Sequence, residues 1–301
     1  MTKQVENSFK YRLYEKIFKL IAGLSDSQRL KLGGFLTGIA KPLAKKRLHV
    51  ARRNLEISNP NSTTDQINNL TDRHFRLVVQ SYIDRAVLWY GSEVQINEMV
   101  TLKGDKHLKA YFKEENPVLV LGPHFVGLDA AATIMTSKFP KGATMYGKQS
   151  DLVMDAIVKK GRARFNDVQL LSRQDGVKKL IRLIKGGYPL YYLPDMDFGL
   201  KDSIFVPFFD VPTATLTSTV QLVRNFDMNV LFVYSSLDIN TGKYEVEILP
   251  LNKNLFLEGT IEEATSRFNL MLEDWIRKDP AQYYWVHKRF KTRPEGHKSI
   301  Y

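Results

Sequence analysis

The sequence predicts an α/β protein: a single domain whose mostly parallel central sheet is covered by helices, with a basic amphipathic helical extension at its N-terminal end. Three observations predict it. From about residue 117 onward, short apolar runs bounded by Pro and Gly alternate with stretches of helical periodicity, the pattern of strands joined by crossover helices. Ahead of that point the apolar spacing is helical. The charge is regional: residues 1–53 carry 13 Lys and Arg against Glu6, Glu15 and Asp26, while the other 31 basic and 29 acidic residues nearly cancel.

The first element is a helix over 9–24. Phe9, Leu13, Ile17, Leu20 and Leu24 fall in one narrow sector, widened by Ile21 and Tyr14, and Arg12, Glu15, Lys16 and Lys19 gather on another side. Periodicity of this kind is commonest in a surface helix packed on its own domain. The neighbouring "KPLAKKRLHVARR" (41–53) adds six cations and points instead to a helix lying on an anionic membrane surface. Residues 60–72 read as a polar loop with a helix start. Phe75, Val78, Val79, Tyr82, Ile83, Ala86 and Val87 then follow the spacing of an amphipathic core helix. The runs "PVLVLG" (117–122), "YPLYYLPD" (188–195), "NVLFVYSS" (229–236) and "YEVEILP" (244–250) read as strands, and 128–138, 150–164, 175–185, 214–226 and 262–277 as helices. No internal repeat or linker divides the chain. The expected division is residues 1–60 as membrane-surface helices and 61–301 as the α/β domain.

Composition narrows the chemistry. With no cysteine, a thiol nucleophile, a disulfide framework and a thiolate metal site are all excluded. No uncharged stretch reaches the roughly 18–20 residues of a membrane span. No signal peptide is recognisable either, so a cytoplasmic chain that lies on a membrane without crossing it is expected. A basic segment also suits nucleic acid, but no base-reading motif accompanies it, and no nucleic-acid partner is expected.

The stretch "GPHFVGLD" (122–129) places His124 and Asp129 five positions apart, after a strand and before a helix. On one continuous helix such residues point away from each other, so the pair must straddle the strand end and the first helical turn. That is the carboxyl edge of a sheet, where open α/β folds place their sites. There Asp129 is expected to accept a hydrogen bond from one nitrogen of His124 and fix its tautomer for general-base work. No G-x-S-x-G elbow supplies a nucleophile, so the attacking group is expected to be a hydroxyl of the substrate. An H-x4-D match is common by chance; its position between Gly122-Pro123 and Gly127 singles it out. In "GRARF" (161–165), Arg162 and Arg164 are candidates for gripping phosphate or polarising a carbonyl, although a lone Arg more often sits on a solvated face. "YYLPDMDFG" (191–199) sets Asp195 and Asp197 after a strand. They read as turn-stabilising carboxylates or, less specifically, as a metal-binding pair. "YYWVHKRFK" (283–291) mixes aromatics and cations, and its His287 reads as structural. His49, His74, His107 and His297 show no metal-ligand spacing.

Together these segments resemble the late acyltransferases of lipid A biosynthesis in Gram-negative bacteria, within the wider glycerolipid (glycerol-3-phosphate acyltransferase-like) group. The likeness runs from about residue 10 to 293. It is carried by "GPHFVGLD", "GRARFNDVQLLSR", "YYLPDMDFG", "IFVPFFDVPTAT" and "DPAQYYWVHKRFKTRP", in that order. The resemblance implies direct transfer of a fatty acyl chain from acyl carrier protein to a hydroxyl of a lipid A precursor, at the cytoplasmic face of the inner membrane, with no metal, cofactor or acyl-enzyme. It implies His124 as general base, Asp129 as its orienting partner, Arg162 as a substrate or oxyanion contact, and Asp195 as a structural or substrate-positioning group. Two departures stand out: many of these enzymes begin with an apolar membrane helix, and their box frequently ends in Glu rather than Asp. The same chemistry on a lysophospholipid or another glycolipid is the nearest alternative. A metal-dependent glycosyltransferase using Asp195 and Asp197, and a non-enzymatic basic binding protein, are more remote.

Overall fold

The computed structural model describes residues 2–114, 116–172 and 175–301; Arg173, the last residue of the arginine block, lies outside them. The chain opens with six helices: α1 (Thr2–Glu6), α2 (Phe9–Ala22), α3 (Asp26–Leu43), α4 (Lys45–Ser58), α5 (Thr64–Tyr90) and α6 (Glu93–Met99). Strands and helices then alternate through β1 (Val100–Lys103), α7 (Asp105–Glu114), β2 (Val118–Leu121), α8 (Leu128–Lys138), β3 (Lys141–Met145), α9 (Leu152–Arg162), β4 (Asp167–Leu171), α10 (Gly176–Lys185) and β5 (Leu190–Tyr192). The hairpin β6 (Ser203–Phe208) and β7 (Val211–Leu216) follows, then α11 (Ser218–Phe226), β8 (Asn229–Asp238), β9 (Lys243–Leu251), α12 (Asn254–Leu257) and α13 (Ile261–Lys278). Several helix starts are written in the sequence as capping boxes, Ser25 with Gln28, Thr63 with Gln66, Ser92 with Gln95 and Thr260 with Glu263, each satisfying two otherwise orphaned N–H groups.

Seven strands form one sheet in the order β1-β9-β8-β2-β5-β3-β4, parallel except for the β8–β9 hairpin. β2 is buried along its whole length, as a central parallel strand must be. The right-handed crossovers expected of parallel strands put α8 and α9 on one face, where the chain steps outward from β2 through β3 to β4. They put α10 and α11 on the other, where it returns through β5 to β8. The direction reverses between β2 and β5, so their carboxyl ends diverge into loops that leave on opposite faces. That crevice is the switch point at which open α/β sheets bind ligands.

The helical pattern over 214–226 is shorter than expected. Residues 211–216 belong to β7, which pairs antiparallel with β6 in a separate two-stranded sheet. The turn between them is Phe209-Asp210, at φ of 50° and 59°, a left-handed pair built without Gly or Asn. Nothing in the residue types announces such a turn. It is held from α13, whose Glu273 Oε1 accepts the Phe209 N–H at 2.8 Å.

α2 packs on α5 with Tyr11 and Ala22 buried and Phe18 stacked on Trp89 at 5.8 Å. The stripe Phe9–Leu13–Ile17–Leu20 is therefore left outside, with Phe9 82% exposed. α3 runs antiparallel along α5. Gly33 meets it so closely that a Cβ would lie 1.9 Å from Gln80 Oε1. The buried Arg29 pairs with the fully buried Asp84, and α3 turns Phe35, Ile39 and Leu43 outward. α4 lies against the C-terminal segment, where Asn54 Nδ2 donates to Trp285 O and His287 O at 2.7 and 2.8 Å. Among the described residues no helix is long and apolar enough to cross a membrane.

Candidate active site

His124 sits in the loop that leaves β2. A side chain on Gly122 would displace the Tyr191 ring on β5, because a Cβ would come within 2.3 Å of it. Two residues on, the His124 N–H donates to Asp195 Oδ2 and its Nδ1 bonds Asp195 Oδ1, both at 2.8 Å. The Tyr283 hydroxyl donates to Oδ2 from the C-terminal segment at 2.8 Å, and Tyr284 N–H donates to His124 O at 2.8 Å. Burial alone raises the Asp195 carboxyl, but the imidazole, the His124 N–H and Tyr283 hold it down to about 2. An ionised carboxylate only accepts, so Nδ1 carries a proton, and in the neutral ring the lone pair is therefore on Nε2. The carboxylate is sealed and the imidazole remains 19% exposed. The geometry is that of a base whose tautomer is fixed from behind.

The expected hydrogen bond between His124 and Asp129 is not the one that forms. From the first turn of α8, Asp129 turns toward α5 and α9. There Arg162 Nε donates to Oδ1 at 2.9 Å and Arg85 Nε forms an ion pair with Oδ2 at 2.8 Å. Burial opposes its ionisation, but the two guanidinium groups hold the carboxyl down to about 2. Asp195, from the neighbouring strand end, takes the orienting place. Arg85 went unread in the sequence; its one signal is a cation set among the apolar positions of a core helix, between Ile83 and Ala86. Its guanidinium lies 4.0 Å from the ring centre of Tyr82. Tyr82, counted among the core positions, is 46% exposed and shares a 2.8 Å hydrogen bond with the Tyr284 hydroxyl.

Arg164 does not join this group. Its Nη1 and Nη2 donate to Leu88 O and Gly91 O at 3.1 and 2.5 Å, satisfying carbonyls at the end of α5. Nor do Asp195 and Asp197 form a metal-binding pair. Asp197 Oδ1 accepts from Gly199 N–H and the Thr292 hydroxyl, and Oδ2 from Thr292 N–H at 2.7 Å, so both carboxylates are filled by separate protein donors. Among the described residues no cluster of three His or carboxylate side chains suits a metal ion. His287 accepts the Asp197 N–H on Nε2 at 3.1 Å. Burial and the nearby His124 push it down to about 4, which keeps it neutral, as a structural histidine.

Between α8 and the sheet lies a largely apolar cavity, part of it open to solvent. Asp129, Arg162 and Leu193 stand at its upper end, at the carboxyl edge of the strands. Phe139, Lys141 and Pro189 stand at its lower end.

The family model for bacterial lipid A biosynthesis acyltransferases matches residues 5–292. The chain is 28% identical over 271 residues to the lipid A biosynthesis palmitoleoyltransferase of Escherichia coli (strain K12), covering 90% of this chain and 87% of that protein. It is 28% identical over 272 residues to the lauroyltransferase of the same organism, covering 90% and 88%. A lipid A biosynthesis acyltransferase of Haemophilus influenzae is 29% identical over 256 residues, 84% of this chain and 80% of its own length.

Proposed function

Because the chain belongs to the bacterial lipid A biosynthesis acyltransferase family and is an acyltransferase, we propose that it moves a fatty acyl chain from the thioester of acyl carrier protein to a hydroxyl of a lipid A precursor. The observation that carries the reading is His124 fixed by Asp195 at the switch point of the sheet, with an apolar cavity between that sheet and α8.

In this reading the acyl chain lies in the cavity with its thioester carbonyl beside Arg162. His124 Nε2 takes the proton of the acceptor hydroxyl as its oxygen bonds to the carbonyl carbon. The imidazolium so formed is stabilised by Asp195, whose carboxylate is already ionised. Negative charge gathers on the carbonyl oxygen, and Arg162, at the head of the cavity, is the donor available to it. When the intermediate collapses, the carbon–sulfur bond breaks and His124 returns its proton to the departing thiolate. Asp129 takes no proton in this scheme. It keeps the guanidinium groups of Arg85 and Arg162 together, two like charges that repel without it.

The donor is named from the family resemblance and from the basic surface of the N-terminal helices, which suits an acidic carrier protein. The same helices, residues 1–60, are proposed to rest on the anionic cytoplasmic surface of the inner membrane. Phe9, Leu20, Phe35 and Leu43 are 64–82% exposed there, among Lys10, Lys16, Lys19, Lys31 and Lys41.

The test is a mass-spectrometric transfer assay on detergent-solubilised protein, with acyl–acyl carrier protein and, as competing acceptors, a lipid A precursor and a lysophospholipid. Acyl mass gained by the lipid A precursor, and lost by about 10²–10⁴ in rate in folded His124→Ala, is the expected result. Transfer to the lysophospholipid alone would move the acceptor, and an unimpaired His124→Ala would end the mechanism.

A further inference from the structure

The cavity has a floor, and one residue near it has no side chain. β3 reads "KGATM", with Gly142 inside the strand. Glycine weakens a strand interior and often marks a place where a ligand or another backbone approaches closely. Here φ is not positive, so the backbone itself does not demand glycine. A Cβ built on Gly142 meets nothing within 4 Å. No packed neighbour excludes a side chain either.

The register shows where that empty space lies. Val120 is level with Tyr191, and Tyr191 with Thr144, so these three point to one face of the sheet. Gly142, two residues before Thr144, points to the same face, and so does its partner Val168 on β4. All five line the cavity, opposite α8. Along the strands Gly142 is level with Pro189, at the lower end, four residues below Leu193 at the upper end. Four residues of strand span about 13 Å at about 3.3 Å each. An extended hydrocarbon advances about 1.25 Å per carbon, from bonds of about 1.5 Å at about 111°. A chain entering beside Arg162 therefore reaches Gly142 with about its tenth carbon.

We propose that Gly142 sets the acyl-chain length this enzyme accepts, its missing side chain leaving room for the distal methylenes. The inference rests on the reading of the cavity as the acyl site. A side chain at 142 would project from the sheet toward α8 and occupy the space of the last carbons. Shorter chains, which end above it, would bind as before.

The experiment compares kcat/KM across saturated acyl–acyl carrier protein thioesters of increasing even length for wild type, Gly142→Ala and Gly142→Met, with melting temperatures alongside. Each buried methylene is worth about fourfold in equilibrium preference. Gly142→Ala is therefore expected to lower the ratio of the wild-type optimum to shorter donors about fourfold, and Gly142→Met, excluding about four carbons, by about 10²-fold or more. A folded Gly142→Met whose chain-length profile superimposes on the wild type, or is lowered equally at every length, overturns the proposal. Should the Met variant fail to fold, an unchanged ratio in Gly142→Ala overturns it as well. Absence of transfer by the wild type with any donor would instead remove the acyltransfer reading beneath it.

Discussion

At His124 the decisive fact is which nitrogen holds the proton, and the chain settles it with a residue 71 positions away. Asp195 accepts from both the main chain and the ring of His124, so it fixes the loop and the tautomer together. Asp195→Asn keeps the size of the side chain but offers an N–H where Nδ1 needs an acceptor, which favours the wrong tautomer. We expect kcat to fall by about 10²–10⁴ with a modest change in KM. Asp129→Asn should act differently: it leaves two guanidinium groups facing each other without a carboxylate, and the loss should appear in melting temperature as well as in rate. Equal profiles for the two variants in stopped-flow and thermal melts would contradict the separate roles given to them. His124 was legible in the sequence because glycines and a strand end frame it. The identity of its partner was not. Asp129 is near in sequence, Asp195 is near in space, and only the pairing of β2 with β5 distinguishes them.

Among the elements, the crossover helices and central strands were readable because burial imposes a period on them. β3 and β4 were missed, since "KGATM" and "DVQLL" have neither an apolar run nor a clean alternation. One face of β3 is a cavity wall, where Gly142 has no side chain to mark the period. The β6–β7 hairpin was hidden by its turn residues. For α2 the pattern was right and the ambiguity real: an apolar stripe says that something covers it without saying what. The structure turns Tyr11, Phe18 and Ala22 inward and leaves Phe9, Leu13, Ile17 and Leu20 bare, continued by Phe35, Ile39 and Leu43 on α3. If this surface meets lipid, replacing Phe9, Leu20 and Phe35 together by Ser should weaken sedimentation with anionic vesicles by about 10²-fold or more, since each large apolar side chain is worth about 1.5–3 kcal/mol on full burial. The melting temperature should hold, because none of the three supports the core. Binding of the wild type should also weaken with salt. A triple variant that sediments like the wild type would show that this face meets something else.

Across the whole molecule, the buried titratable groups set an acid limit. His74, wholly buried with Nδ1 on Ala281 O, is pushed down by burial to about 4, as is His287. The unfolded chain protonates both near 6.5, so their contribution is complete above that pH and is lost progressively as pH falls toward 4. Asp84 works in the opposite sense, because burial raises it to about 6 against its hydrogen bonds and Arg29. Its folded form takes a proton before the unfolded chain does and offsets part of the loss. The balance from about pH 7 to pH 5 is a destabilisation of roughly 2 kcal/mol, or several degrees in melting temperature for a chain of this size. A melting temperature that stays flat or rises over that interval in calorimetry would refute this account. The same long-range architecture has a bearing on biosynthesis. Tyr283 and Thr292 hold the two aspartates of the 195–199 loop, and Tyr284 secures the His124 loop, so the geometry around His124 depends on a segment translated after the sheet it completes. If the basic helices of residues 1–60 rest on a lipid surface as proposed, a nascent chain can present them there before the geometry around His124 is complete. Delivery to the lipid surface would then precede competence, and the enzyme would switch on only where it is already in place.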